Sequence, residues 1–168
     1  MAGWRSGAGG SDQHPAWTLV APRRLSASMT ENAPLCPSAQ PEMTGSVIFG
    51  IVGGTPEEPR VGYLAETVPA TPERLALSSP VLPTEVFRLA APCAGSACRH
   101  FDGAQCRLAA RTVELLPAVV DAPPPCRVRP DCRWWLQEGK AACLRCPQVV
   151  TQAYAPSELY EQVAAPGG

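Results

Sequence analysis

The stretch that decides the fold runs from residue 93 to residue 146 and holds seven of the eight cysteines of this 168-residue chain. It opens with Cys93-Ala-Gly-Ser-Ala-Cys98-Arg-His100-Phe-Asp-Gly-Ala-Gln-Cys106 and closes with Cys126-Arg-Val-Arg-Pro-Asp-Cys132-Arg-Trp-Trp-Leu-Gln-Glu-Gly-Lys-Ala-Ala-Cys143-Leu-Arg-Cys146. Apolar packing alone does not require so many thiols in 54 residues. Because thiolates are preferred ligands of zinc and of iron–sulfur clusters, this density predicts a metal centre.

Composition limits the size and kind of the fold. A chain of this length has room for one hydrophobic core rather than two. Its 20 prolines and 14 glycines favour short elements and much irregular backbone. We therefore expect a small, loop-rich α+β, cysteine-rich domain, with short strands and two or three short helices, that a metal stabilises because the apolar core is thin.

Charge and hydropathy bear on partners and compartment. The net charge is −1, so the whole chain lacks the basic character of a nucleic-acid binder. We find no secretory signal pattern at the first residues and no apolar run of the length of a membrane span, and we expect no membrane partner. A cytoplasmic protein is the resulting expectation, and in that compartment thiols stay reduced.

Patterning along the chain divides it into four segments. We expect an unstructured or mispredicted extension, a small β-leaning region, the cysteine-rich metal-binding region, and a short terminal helix with a flexible end, at residues 1–42, 43–92, 93–147 and 148–168. Met43 opens the first well-patterned segment and is an alternative start to Met1. Cys36 falls in the extension, and we expect its replacement by serine to be silent.

Local signals predict the individual elements. An apolar, β-branched run that ends at two glycines predicts a strand, and the run at residues 61–64 is its hairpin partner. The strand covers Val47–Val52, and a further strand or helical turn covers residues 86–90. Capping residues predict short helices at residues 71–77, 102–116, 132–138 and 157–163, with Asp102, Asp131 and Ser157 at the starts of the last three.

The candidate ligands are the soft donors of the cysteine-rich region. They are Cys93, Cys98, His100, Cys106, Cys126, Cys132, Cys143 and Cys146. Cys143-Leu-Arg-Cys146 is the strongest motif, because two sulfurs of one tight turn reach the same ion or cluster. With Pro147 after it, this loop alone resembles the loops around ferredoxin cluster cysteines. Eight donors suffice for two four-ligand sites or for one cluster with spare thiols, and the spacing does not divide them.

Arginines accompany these thiols. Residues 93–146 hold eight Arg or Lys against five acids, and five of the seven cysteines have an arginine beside them in sequence. Cations lower the pKa of nearby thiols and offset the negative charge of a thiolate centre. Of Trp134 and Trp135, we expect one to pack over the site and the other to face the surface.

These features favour two functions. The first is a small protein with an iron–sulfur cluster, of [4Fe–4S] type, that acts in electron transfer or redox sensing with a redox protein as partner. The alternative is a structural zinc-binding module that presents a surface to a protein or a nucleic acid. We favour no enzyme, because no Ser-His-Asp, paired-carboxylate or phosphate-loop constellation can be assembled.

Overall fold

The computed structural model describes residues 33–55 and 58–166. Four strands form one sheet: β1 (Leu35–Cys36), β2 (Val47–Gly54), β3 (Pro59–Pro69) and β4 (Phe87–Pro92). The α-helices of this part of the chain are α1 (Pro72–Leu75), α2 (Pro83–Val86), α3 (Arg107–Leu115), α4 (Arg133–Glu138), α5 (Lys140–Cys143) and α6 (Glu158–Ala164). Short 3-10 turns at Gly95–Ala97, Arg129–Asp131 and Cys146–Gln148 connect the elements around the cysteines.

The sheet is antiparallel, with strand order β1-β4-β2-β3. The predicted hairpin is confirmed, because Val52 of β2 pairs with Val61 of β3. Successive side chains of a strand point to opposite faces of the sheet, and the residues of β4 follow this alternation. Phe87 and Leu89 join an apolar cluster on one face, whereas Ala90 belongs to a different cluster with Phe49 on the other.

Strand β1 departs from the expectation for residues 1–42. Leu35 and Cys36 pair with Pro92 and Ala91 of β4, so the part of this segment that the structure describes is folded against the sheet. Backbone hydrogen bonds hold it there, including one from the amide of Cys93 to the carbonyl of Pro34, 2.8 Å long. Two residues give no readable hydrophobic period, which is why the pattern missed this strand. Residues 1–32 lie outside the described residues.

The helices are more numerous than the two or three expected, because proline and capping residues start one-turn helices at separate places. Pro72 and Pro83 occupy first helical positions, where the missing N–H costs nothing. Ser157 caps α6 as predicted. The N-cap position of α4 is occupied by Cys132 and not by the predicted Asp131, which belongs to the preceding 3-10 turn, and Gly139 is the C-cap.

Asp102 does not cap α3, contrary to prediction. Its carboxylate accepts hydrogen bonds from the amides of Gln105 (2.7 Å) and Ala104 (3.0 Å), which closes a separate turn before the helix. The helix starts later, with Cys106 at the N-cap position. The turn competes for the same amides that a helix would need, since aspartate bonds its own nearby backbone readily.

The helices form a second layer with its own core. Trp134, Leu108, Ala109, Ala142 and Val163 are buried there, together with two of the thiols. The α+β fold class is confirmed: an antiparallel sheet and several short helices make the domain. In the described part of the chain, no helix has the length and apolar character needed to cross a membrane.

Candidate metal centre

Four cysteines converge where the helical layer meets the sheet. Cys126 and Cys132 lie on either side of the turn Arg129–Asp131. Two backbone hydrogen bonds close this turn: the amide of Arg129 donates to the carbonyl of Cys126, and the amide of Cys132 donates to the carbonyl of Arg129. Cys143 ends α5, and Cys146 starts the following 3-10 turn. Gly139 makes this possible, because its φ of +59° bends the chain between α4 and α5 at a conformation that favours glycine.

The four sulfur-bearing residues line one cavity of about 20 Å³. Cys126, Cys132, Cys143 and Cys146 all contribute to its wall, and Phe49 and Tyr63 of the sheet close the opposite side. Trp134, which is 1 % exposed, covers it from the helical layer. The sequence expectation of one tryptophan over the site is therefore met by Trp134, while Trp135 lies half-buried beneath the guanidinium of Arg129. The four thiols thus surround a protected, largely apolar space.

The thiols of the cavity influence one another's pKa. Burial raises the pKa of Cys132 to about 12, the amide of Trp135 acts against this, and charge on Cys146 raises it further. Burial raises the pKa of Cys143, the side chain of Arg129 lowers it, and charge on Cys146 raises it again. A cation bound among such thiols would reverse this balance, because it stabilises the thiolate forms.

Arg88 is the unexpected member of the site. It lies on β4, an inner strand of the sheet, and its side chain is 2 % exposed. Its Nη2 donates a hydrogen bond of 3.3 Å to the sulfur of Cys146, and its guanidinium lies 5.9 Å from the ring centre of Phe49. Its Nε atom is buried without a hydrogen-bond partner. Across residues 33–55 and 58–166, the observed ion pairs do not include Arg88.

Arginines that neighbour cysteines in sequence contact other groups than the thiols that we expected them to meet. Arg145 donates to the carbonyls of Leu116 and Ala141, and Arg133 lies over the ring of Phe101. The cations that reach thiols of the cavity are Arg88 and Arg129, which are not sequence neighbours of the cysteines they meet. Cationic side chains do reach these thiols, but sequence adjacency did not identify which ones.

The other predicted ligands lie outside the cavity wall. Cys93, Cys98 and Cys106 occupy the segment between β4 and α3. His100 also lies there, half-buried, with Nδ1 3.2 Å from Nη2 of Arg111 and Nε2 accepting from Nε of Arg99 at 3.3 Å. Burial, and then these two arginines, lower the pKa of His100. Both ring nitrogens therefore face guanidinium groups.

As the side chains stand, no three His, Cys, Asp or Glu residues among those described could together hold a metal ion. The four thiols of the cavity border a space instead of meeting at a point. Comparison of the chain with family models, with curated proteins and with solved structures finds no match.

Two residues near the thiols were missed by sequence reasoning. Arg88 sits within the pattern Val-Phe-Arg-Leu-Ala, where alternation alone would direct it to solvent. Its thiol partner is 58 residues further along the chain, too far for any local pattern to reveal. Cys36 offered one signal, since counting it gives eight thiols, which is two complete sets of four.

Proposed function

We propose that this protein is a small iron–sulfur protein that carries electrons, and that Cys126, Cys132, Cys143 and Cys146 bind its [4Fe–4S] cluster. The observation that carries the proposal is the buried guanidinium of Arg88, which is directed at Cys146 and has no carboxylate partner among the described residues. The bound cluster supplies reversible one-electron redox chemistry, and the protein supplies its ligands and surroundings.

The charge of Arg88 requires an anion. Burial of an unpaired cation costs several kcal/mol, so such a group persists when a negative partner lies against it. A neutral thiol is a weak acceptor and does not compensate a full charge. Four thiolates around a cluster make a net anion, and hydrogen bonds to its sulfurs are a common means of tuning its potential. Arg88 is placed to donate one of these bonds.

The spacing of the cysteines favours a cluster over a single zinc ion. Zinc ribbons and fingers usually supply two closely spaced cysteine pairs, and Cys143 with Cys146 is the one such pair in residues 93–146. A proline directly after the pair, as at Pro147, also occurs in the cysteine motifs of ferredoxins. The aromatic side chains of Phe49 and Trp134 in the cavity wall suit a centre that must exclude water.

The location also suits electron transfer. Tyr63 and Pro124 contribute both to the wall of the cavity and to an open surface groove that includes Pro147, the residue after Cys146. A single layer of side chains therefore separates the site from a docking partner. The partner would be a one-electron redox protein, and the compartment a reducing one such as the cytoplasm, where the thiols remain available.

The test is a redox titration of protein purified without oxygen. We expect a broad visible absorbance that bleaches on addition of dithionite and returns when an oxidised one-electron acceptor is added. Stoichiometric iron and sulfide should accompany the absorbance. A colourless protein with zinc in place of iron would overturn the redox proposal and leave a structural zinc module as the function.

A further inference from the structure

A second group of thiols lies outside the cavity wall, and different backbone contacts hold its segments together. Cys93 follows β4, Cys98 follows the turn Gly95–Ala97, and Cys106 precedes α3. The backbone folds this segment back on itself: the amide of Phe101 donates to the carbonyl of Cys98 at 3.0 Å, and Phe101 forms an antiparallel bridge with Cys106. Cys98 and Cys106 are therefore brought together over eight residues.

Strand β1 brings Cys36 to the same place. Cys36 pairs with Ala91, two residues before Cys93. The amide of Cys93 donates a hydrogen bond of 2.8 Å to the carbonyl of Pro34. This bond extends the pairing of the segment that carries Cys36 with the segment that carries Cys93. This register places a fourth thiol against the three that the sequence had already identified as ligands.

Electrostatics agrees with this grouping. Burial raises the pKa of Cys36 to about 12, while a hydrogen bond with the backbone of Ser38 lowers it. Charges on Cys93, Cys106 and Cys98 raise this pKa further. Burial also raises the pKa of Cys106, the amides of Ala109 and Leu108 act against it, and charges on Cys93 and Cys98 raise it further. The four thiols thus lie within electrostatic reach of one another.

We propose that Cys36, Cys93, Cys98 and Cys106 form a second four-thiolate site for a second iron–sulfur cluster, whose binding requires these side chains to turn toward one another from their present positions. This inference rests on the proposed function of the cavity site and extends it from one centre to two. Donors suitable for a cluster are present: the amide of His100 donates to the sulfur of Cys98 at 3.5 Å, and Arg99 and Arg111 hold the histidine ring beside it.

The two centres are neighbours through one strand. Leu35 forms a backbone bridge with Cys132 of the cavity site, and the next residue, Cys36, belongs to the second site. Two clusters held here would let the chain take one electron from a reduced flavin or iron–sulfur protein, which is thereby oxidised, and deliver it to an oxidised one-electron acceptor protein, which is thereby reduced. No covalent bond forms or breaks in this transfer. The chain thus acts as a two-centre relay.

Metal analysis of Cys36→Ala tests the second site. Wild-type protein, reconstituted without oxygen, should contain about eight irons and eight sulfides per chain, and the variant about four of each. The double variant Cys143→Ser/Cys146→Ser should lose the other four. Ala97→Ser is the matched control, since it adds a hydroxyl beside Cys98 on an exposed turn without removing a thiol, and it should keep all eight.

The outcomes separate the two proposals. Cys36→Ala with wild-type iron and sulfide would overturn the second site. Wild-type protein with about four irons, all lost in Cys143→Ser/Cys146→Ser, would overturn the second site and leave the first intact. Protein with zinc or no metal would overturn both. If Cys36→Ala fails to fold, Cys98→Ala removes a ligand from a turn outside the sheet, and it should lose the same four irons.

Discussion

The two faces of the sheet are built from the same strands but are stabilised by different means. On one face Ile48, Phe87 and Leu89 are buried among other apolar side chains, including Ala39. On the opposite face Phe49 and Ala90 share the surface with a buried arginine that meets a layer of thiols. The first face is an apolar cluster, at whose edge Cys36 pairs with Ala91. The second contains a buried charge and the four cysteines of the cavity wall.

The two faces contribute to the free energy of folding in different ways. A buried leucine or phenylalanine contributes about 1.5–3 kcal/mol through removal of apolar surface from water. A buried cation has the opposite sign and costs several kcal/mol until an anion compensates it. If the proposed cluster is bound, we therefore expect the apolar face to stabilise the domain by itself and the thiol face to stabilise it only in the loaded protein.

The largest effect is expected from the double variant Cys143→Ser/Cys146→Ser. Binding of a structural metal contributes on the order of 10 kcal/mol, which is comparable to the whole stability of a small domain. We expect loss of the cavity cluster and a large fall in the temperature of thermal unfolding, as followed by circular dichroism. Leu136→Ser in α4, whose side chain is 61 % exposed, is the control and should leave both unchanged. Wild-type melting in the double variant would contradict this view of the thiol face.

The apolar face should respond differently. Leu89→Ala removes a side chain that is 2 % exposed in the core of that face, which should lower the free energy of unfolding by about 2–5 kcal/mol. Iron and sulfide at the cavity site should stay at the wild-type level per folded chain, because Leu89 lies on the sheet face opposite the four cavity cysteines. Chemical denaturation together with metal analysis measures both quantities. Parallel loss of metal and stability would show that the two faces are not separable.

The effect of Arg88→Met on the free energy of unfolding should have opposite signs in the metal-free and the loaded protein. In the metal-free chain it removes a buried, uncompensated charge, so it should be neutral or stabilise folding by about 1–4 kcal/mol. In the loaded protein it removes a hydrogen bond to an anion, which should destabilise by about 1.5–3 kcal/mol. The reduction potential should also fall, by about 60 mV if the guanidinium favours the reduced centre by about 1.4 kcal/mol.

The control for Arg88→Met is Arg60→Met, whose arginine side chain is 81 % exposed on β3. It removes the same charge and replaces it with the same side chain, but outside the site. Spectroelectrochemistry of both variants should therefore show a shift for Arg88→Met alone. Equal shifts would mean that the guanidinium acts through general surface charge, and the local contact with Cys146 would lose its role.

The smallest effect concerns the edge of the helical layer. The hydroxyl of Tyr160 donates to the carbonyl of Gln148 at 2.7 Å, so Tyr160→Phe should cost about 0.5–1.5 kcal/mol at neutral pH. Burial raises the pKa of Tyr160, and Arg88 acts against this. A raised pKa means that the folded state favours the neutral phenol, so its contribution is complete below pH ~10 and is lost as pH rises further. The wild-type advantage over Tyr160→Phe should shrink there in urea titrations.

Sequence patterns predicted the elements whose causes are local. The strand at Val47 is a β-branched run that two glycines end, and α6 has a serine cap, so both could be read directly from neighbouring residues. Strand β1 and the position of Arg88 could not, because each depends on contacts with distant segments. The density of the cysteines predicted them as ligands, and that stays a prediction. The structure places four of them in one cavity wall and the others elsewhere, and this division depends on tertiary contacts that no spacing rule contains.

Quantitation of iron, sulfide and zinc in anaerobically purified protein tests the central claim most directly, since that claim is an anionic cluster against the thiol face. We predict iron and sulfide in equal amounts, with the cavity centre contributing about four of each and losing them in Cys143→Ser/Cys146→Ser. Zinc in place of iron, or a double variant that keeps the full wild-type iron content, would contradict the assignment of the cluster to the cysteines facing Arg88.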